Sequence, residues 1–189
     1  MILQTLLAEL RSGYTLRQPV TGAAGDALAV IQLRDLDERG GQIEHRRLAF
    51  MARKAPMEKQ LLRPGDVLLT AKGRRNFAFQ PQLPFAALAS SAFYVLRPRG
   101  ELILPGFLSW SLNQAAAQRY FENHRAGTNT QNLSKKAVAA LDIPLPSKHK
   151  QAQVLRIDEL WHKQRSLEEA IQSRRSSLLY NRLNQYIHE

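Results

Sequence analysis

The sequence predicts an α+β fold, a mixed α/β globular domain followed by one long C-terminal helix of coiled-coil type. Three observations carry this. Strand-like and helix-like stretches are interleaved as far as Pro144 and Pro146. From Ser147 to Tyr186 there is no Pro or Gly, and charged residues, Gln and Leu dominate. Within that stretch Ile157, Leu160, Gln164, Leu167, Ile171, Arg174 and Leu178 step by alternating three and four, a heptad seam with two polar positions. The expected boundaries are 1–146 for the globular domain and 147–189 for the helix.

The elements follow in chain order. Ile2, Leu3, Leu6, Leu7 and Leu10 recur at helical spacing and Gly13 stands where a helix would stop, so a short amphipathic helix packed on the domain is expected. The run from Ala27 to Leu33 is strand-like, and Gly40-Gly41 separates it from a second extended piece beginning near Gln42. Leu62 to Asp66 contains Pro-Gly, a turn in which Pro presets φ and Gly accepts positive φ, and it leads into the strand Val67–Thr70. Lys72-Gly-Arg-Arg-Asn76 leaves that strand as a basic loop. Ser91 to Leu96 reads as another strand, and Gly106 to Phe121 places Phe107, Leu108, Trp110, Leu112 and Tyr120 at helical spacing. After the polar run Gly127 to Asn132, Leu133-Ser134 opens a short helix toward Ala140 with Ser134 as its N-cap.

Composition narrows the function. At 189 residues with 44% hydrophobic and 23% charged, the chain can bury a core and is not a disordered basic tail. It has no cysteine, which removes disulfides, thiolate metal sites and cysteine nucleophiles, and a reducing cytoplasm is the expected compartment. Met1 to Leu10 lacks the basic start and small-residue cleavage site of a secretion signal, and no segment has the apolar length of a membrane span. The five histidines are scattered without metal-ligand spacing, and there is no phosphate-binding Gly-rich loop and no acidic residue two before Lys72. No cofactor, metal or catalytic residue is therefore expected.

Charge points to the partner. Lys and Arg number 27 against 16 Asp and Glu, a net +11, which favours a polyanion through release of condensed counterions. The surplus is uneven: Val67 to Leu141 holds nine basic residues and two acids. Lys72, Arg74, Arg75 and Asn76 share one loop, where Lys suits a phosphate, while Arg and Asn can pair with guanine and adenine edges respectively. Thr128, Asn129, Thr130 and Gln131 add uncharged hydrogen-bonding groups, in a segment that equally suits a helix-capping connection. The heptad seam calls for a second long helix, with packing back on its own domain as the alternative.

The order of these motifs resembles the target recognition domain of type I restriction-modification specificity subunits. The residues that carry the resemblance are Ser12-Gly-Tyr-Thr15, Val30 to Leu36, Pro64-Gly-Asp-Val-Leu-Leu69 and Lys72-Gly73, then Gly127-Thr128, Leu133-Ser134, Leu141-Asp-Ile-Pro-Leu-Pro146, and Gln151 or Gln153 opening the long helix. The resemblance implies a double-stranded DNA-binding subunit that does no chemistry itself and delivers a DNA adenine methyltransferase subunit, and often a restriction subunit, to its site. Family members usually carry two such domains and two long helices. One domain and one helix imply a half-size form that becomes whole as a homodimer reading a palindromic split site. Two other readings stay open: a small DNA-processing enzyme, and a coiled-coil adaptor whose basic domain meets an acidic protein.

Overall fold

A computed structural model of the chain describes residues 1–16, 27–37, 43–53, 55–73, 76–126 and 132–188. The described residues form a mixed α/β structure with a long C-terminal helix, as the sequence predicts, in two compact units, Met1–Gln151 and Ala152–Glu189.

The first unit is built on two sheets. Strands β1 (Leu7–Ser12), β4 (Val67–Thr70), β5 (Ala78–Phe79) and β7 (Phe93–Pro98) form an antiparallel sheet in the order β1-β7-β4-β5. Strands β2 (Ala27–Ile31), β3 (Ala49–Ala52) and β6 (Ala87–Ala89) form the second, with β2 antiparallel to β3 and parallel to β6. Strand β2 lies in the middle and reads as a continuous apolar run because both of its faces are covered. Ala29 and Ile31 meet Leu68, Phe79, Phe93 and Val95 of the first sheet in the main core. Leu28, on the opposite face, packs with Met57 and Leu88.

The N-terminal expectation is corrected. A single helical turn, α1 (Leu3–Leu6), gives way at Leu7 to strand β1, which pairs along its length with β7. Leu3, Leu6 and Leu7 are buried under either pattern, so the apolar spacing could not exclude a strand. Gly13 ends no helix. It sits where the chain leaves β1 and runs beside β6, through the Tyr14 to Ser90 bridge, and a Cβ there would lie 2.1 Å from the Ser90 carbonyl oxygen. Only glycine allows that approach.

Further along, Gly40, Gly41 and Gln42 lie outside the described residues; from Ile43 the chain makes an isolated bridge to Leu36, then a 3₁₀ turn at His45–Arg47 and then β3. The Pro64-Gly65 turn forms as expected: Gly65 takes φ +89°, the Asp66 amide donates to the Arg63 carbonyl (3.0 Å), and the Arg63 amide donates to the Asp66 carboxylate (2.8 Å). The helix expected over Gly106 to Phe121 is two, α2 (Pro105–Asn113) and α3 (Ala115–Asn123), broken at Gln114, whose ψ of 151° is extended. At the outer strand β5, the Asn113 side chain of α2 accepts from the Ala78 amide and donates to the Ala78 carbonyl, which occupies an edge that would otherwise pair with another strand. Helix α4 (Lys135–Ala140) packs on β1.

The long helix α5 (Lys148–His188) has 41 residues, about 60 Å of helix at 1.5 Å per residue. Its first turn is tied into the globular unit by the buried Gln151 side chain, which accepts from the Leu104 amide (2.8 Å) and donates to the carbonyls of Leu102 (3.1 Å) and Pro146 (2.9 Å). Beyond it Ile157, Leu160, Leu167, Ile171 and Leu178 are all exposed. Among the described residues no helix is long and apolar enough to cross a membrane, and no cluster of His, Asp and Glu could hold a metal ion.

Candidate nucleic-acid interface

The two segments singled out by charge and polarity are far apart in sequence, yet they share one stem. The β4–β5 hairpin closes through Thr70, whose amide donates to the Phe77 carbonyl (2.9 Å) and whose hydroxyl accepts from the Phe77 amide (2.7 Å). The chain between them carries Lys72, which forms an antiparallel bridge with Asn132. Next to it the Leu133 amide donates to the Ala71 carbonyl (3.0 Å). Asn132 and Leu133 are strand β9, paired with β8 (Arg125–Ala126), so both sides of the 127–131 segment are anchored beside Lys72.

Buried groups hold this stem. Leu133 lies in the core, and its carbonyl accepts from the Tyr94 hydroxyl of β7 (2.8 Å). Burial pushes the Tyr94 phenol above its ordinary pKa, which keeps it protonated and able to donate. Ser134 then caps α4 as expected, its hydroxyl accepting from the Ala137 amide (3.1 Å). The Tyr120 hydroxyl of α3 donates to the Ala137 carbonyl (3.1 Å), fixing α4 against α3.

Lys72, Asn132, Lys135 and Lys136 are exposed on this stem, and Arg119 is exposed on α3. The first turn of α4 carries two lysines and no acid. Cations at a helix N-terminus oppose the macrodipole, so helix stability does not account for them. What the arrangement offers chemically is a set of cations and short polar groups on rigid backbone, with Glu122 the acidic side chain of the neighbouring α3.

Several expectations about individual residues change. Asn76 does not face solvent: it is 1% exposed and its amide is used internally, donating to the Thr70 carbonyl (2.7 Å) and accepting from Arg125 Nε (2.9 Å). Its backbone carbonyl also accepts from the Gln118 side chain (2.7 Å). The base-reading role expected of Asn76 is therefore corrected to a structural one. Arg74, Arg75, Thr128, Asn129, Thr130 and Gln131 lie outside the described residues.

Two arginines counted in the basic excess are also committed elsewhere. Arg97 holds the buried Asp66 carboxylate through two bonds of 2.8 Å and also pairs with Glu9; the hydrogen bonds to Asp66 raise its pKa. Arg99 is exposed, and its Nε donates to the Leu7 carbonyl (3.2 Å). Sequence reasoning missed Asn132 and Arg125 as members of the stem, and only the strand pairing reveals them.

No family model matches the chain, and no curated protein matches it in sequence. Solved structures do. A chain of a type I R-M system, from work on its complex assembly and conformational transition, shares 19% identity at a TM-score of 0.66 over 90% of this chain and 40% of its own. The HsdS subunit from Thermoanaerobacter tengcongensis shares 17% identity at a TM-score of 0.64, over 89% of this chain and 43% of that one. The type I restriction-modification S subunit from M. genitalium shares 13% at 0.57, over 86% and 38%. This chain thus spans about two fifths of each of these structures. At such identities the likeness is one of fold, and the chain has the mixed α/β fold with a long helix that occurs in specificity subunits of type I restriction-modification systems.

Proposed function

We propose that this chain is a specificity subunit of the type I restriction-modification kind: a sequence-specific double-stranded DNA-binding protein that directs a DNA adenine methyltransferase subunit, and a restriction subunit where one is present, to its target. Residues 1–146 are the target recognition domain and 147–189 the pairing helix. The observation that carries the reading is the stem on which Lys72 and Asn132 face each other beside Lys135 and Lys136, with Arg125 bonded to the loop carrying Lys72. Independent polar and basic stretches brought to one edge suit contact with phosphates and base edges together. In this reading Arg74 and Arg75 reach base edges, and Thr128, Asn129, Thr130 and Gln131 hydrogen-bond to bases or phosphates. The fold likeness supports it, since one of the similar structures concerns complex assembly in a type I R-M system.

The test is selection of duplexes from a randomised pool, followed by a salt titration. A specific reader enriches a motif and binds it much more tightly than a scrambled duplex, with affinity falling steeply as salt rises. An adaptor for acidic proteins enriches nothing, and a metal-dependent enzyme cleaves labelled duplex.

Assembly belongs to the same reading. Ile157, Leu160, Leu167, Ile171 and Leu178 form an exposed apolar stripe, which water disfavours and a second helix would cover. Two copies paired antiparallel about a two-fold axis start their helices, and so their globular domains, from opposite ends, and present two half-sites in palindromic order. Gln164 and Arg174 in the seam set register. Leu167→Glu with Ile171→Glu is expected to convert a dimer to a monomer in light scattering and to weaken binding to a two-part site far more than to one half-site. A monomer for the unmodified chain at micromolar concentration would sink the self-pairing model.

A further inference from the structure

Beside the backbone bonds that join Lys72 to Asn132 and Leu133 to Ala71, the side chains of buried Asn76 and half-buried Arg125 link the two halves of the stem. Asn76 is buried at the foot of the loop that starts at Lys72, and Arg125 opens strand β8 on the other half. The bond from Arg125 Nε to Asn76 Oδ1 (2.9 Å) joins them. On the far side Asn76 Nδ2 donates to the Thr70 carbonyl (2.7 Å), and Gln118 Nε2 of α3 donates both to the Asn76 carbonyl and to the Leu112 carbonyl (2.7 Å each). The Asn76 side-chain amide thus joins the end of β4 to β8, while Gln118 of α3 ties the Asn76 backbone to the C-terminal end of α2.

Geometry gives this cluster a meaning beyond stability. An amide side chain has one plane and two kinds of atom, so it can accept from Arg125 and donate to Thr70 in a single orientation only. Arg supplies a fixed planar fork, and a bond through Nε sets the direction in which the rest of the guanidinium projects. Moving β8 relative to the β4–β5 hairpin would break the bond. The exposed groups that move with these halves are Lys72 on one side and Asn132, Lys135 and Lys136 on the other.

We propose that the Asn76–Arg125 pair is a positioning clasp that locks Lys72 and the segment from Asn132 to Lys136 into a single DNA-reading surface, an inference that rests on the DNA-binding reading above. Asn76 touches no nucleic acid. It acts on sequence discrimination by fixing the distance between groups that do, because contacts displaced by an ångström lose their directional hydrogen bonds while diffuse attraction to phosphates persists.

The test uses the full chain and a duplex that the unmodified protein has enriched from a randomised pool, with a scrambled duplex of the same composition as reference. Arg125→Lys keeps the cation and removes the planar donor. It is expected to reduce the preference for the enriched duplex over the scrambled one by about tenfold, with the salt dependence of binding to the scrambled duplex unchanged. Asn76→Ala, checked by circular dichroism and thermal melting to be folded, is expected to give the same loss, and the double variant no more than the larger single loss. A merely structural role would lower the melting temperature and leave the preference of the folded protein intact, and that result overturns the clasp. So does full retention of preference in Arg125→Lys, which needs no variant at position 76 to fold. If the unmodified chain enriches no duplex, the DNA-binding reading itself fails and takes the clasp with it.

Discussion

Two groups of basic residues in the globular unit sit in opposite electrostatic surroundings. On the β1-β7-β4 sheet, Arg97 grips Asp66 and Glu9, while Arg11 donates to the Gln60 side chain (2.8 Å) and backbone (2.9 Å) and lies 3.2 Å from Glu9. Burial lowers the Arg11 pKa, against the pull of Glu9. At the stem, Lys72, Lys135 and Lys136 project into solvent. Each arginine and lysine adds the same positive charge, but Glu9 and Asp66 offset those of the first region. Only the second leaves positive charge available to a partner, because the first is neutralised by carboxylates within the fold. Where the surplus sits therefore matters as much as its size: ion-paired arginines and their carboxylates cancel locally, and the stem lysines carry the field a polyanion meets.

The comparison breaks most visibly at Arg97. Its side chain is 19% exposed and that of Asp66 is fully buried. Arg97→Ala therefore strands a buried carboxylate, and urea unfolding is expected to show a loss of about 3 to 5 kcal/mol. Unfolding within about 0.5 kcal/mol of the unmodified chain would mean that Asp66 finds water or another donor, and the contrast between the two regions would dissolve.

How much of this was legible in the sequence follows from the range of the interactions involved. Helix α5 and the Pro64-Gly65 turn are local, set by the absence of breakers in one case and by the demand for positive φ in the other, and both are read directly. The N-terminal segment reads as a helix because Leu3, Leu6 and Leu7 satisfy a helical spacing, while the partner that makes Leu7–Ser12 a strand lies at Phe93–Pro98. The break at Gln114 leaves no mark, for neither Pro nor Gly stands there. At the candidate site the sequence located Lys72 and Ser134 but not their proximity, which depends on the Lys72 to Asn132 bridge. Chemistry alone points Asn76 outward; its burial follows from Arg125, Thr70 and Gln118, three residues that no local pattern links to it.

The opposite behaviour is expected of the stem lysines. Lys135→Ala with Lys136→Ala removes no ion pair among the described residues and relieves two cations at a helix N-terminus, so stability should stay within about 0.5 kcal/mol or rise slightly. Binding to any duplex, enriched or scrambled, should weaken alike, and the slope of log affinity against log salt should fall by about one per lysine that contacts a phosphate. An unchanged slope would remove α4 from the interface. A loss confined to the enriched duplex would instead make these lysines base readers.

The smallest effect sharpens the comparison, because it separates the presentation of a charge from the charge itself. Ser134→Ala leaves every cation in place and removes the hydroxyl that accepts from the Ala137 amide. Loss of such a cap costs about 1 kcal/mol, and here it acts on a helix of six residues whose first turn bears Lys135 and Lys136. Tyr120 still holds the Ala137 carbonyl and Leu133 stays buried, so α4 should fray at its first turn rather than detach. Thermal melting should then fall modestly, and amide exchange should quicken at Lys136 and Ala137 and not on β7. Duplex affinity should drop by less than in the double lysine variant, with the salt slope unchanged because the same charges remain. A changed slope would show that α4 had left the surface, and that Ser134 does more than cap it.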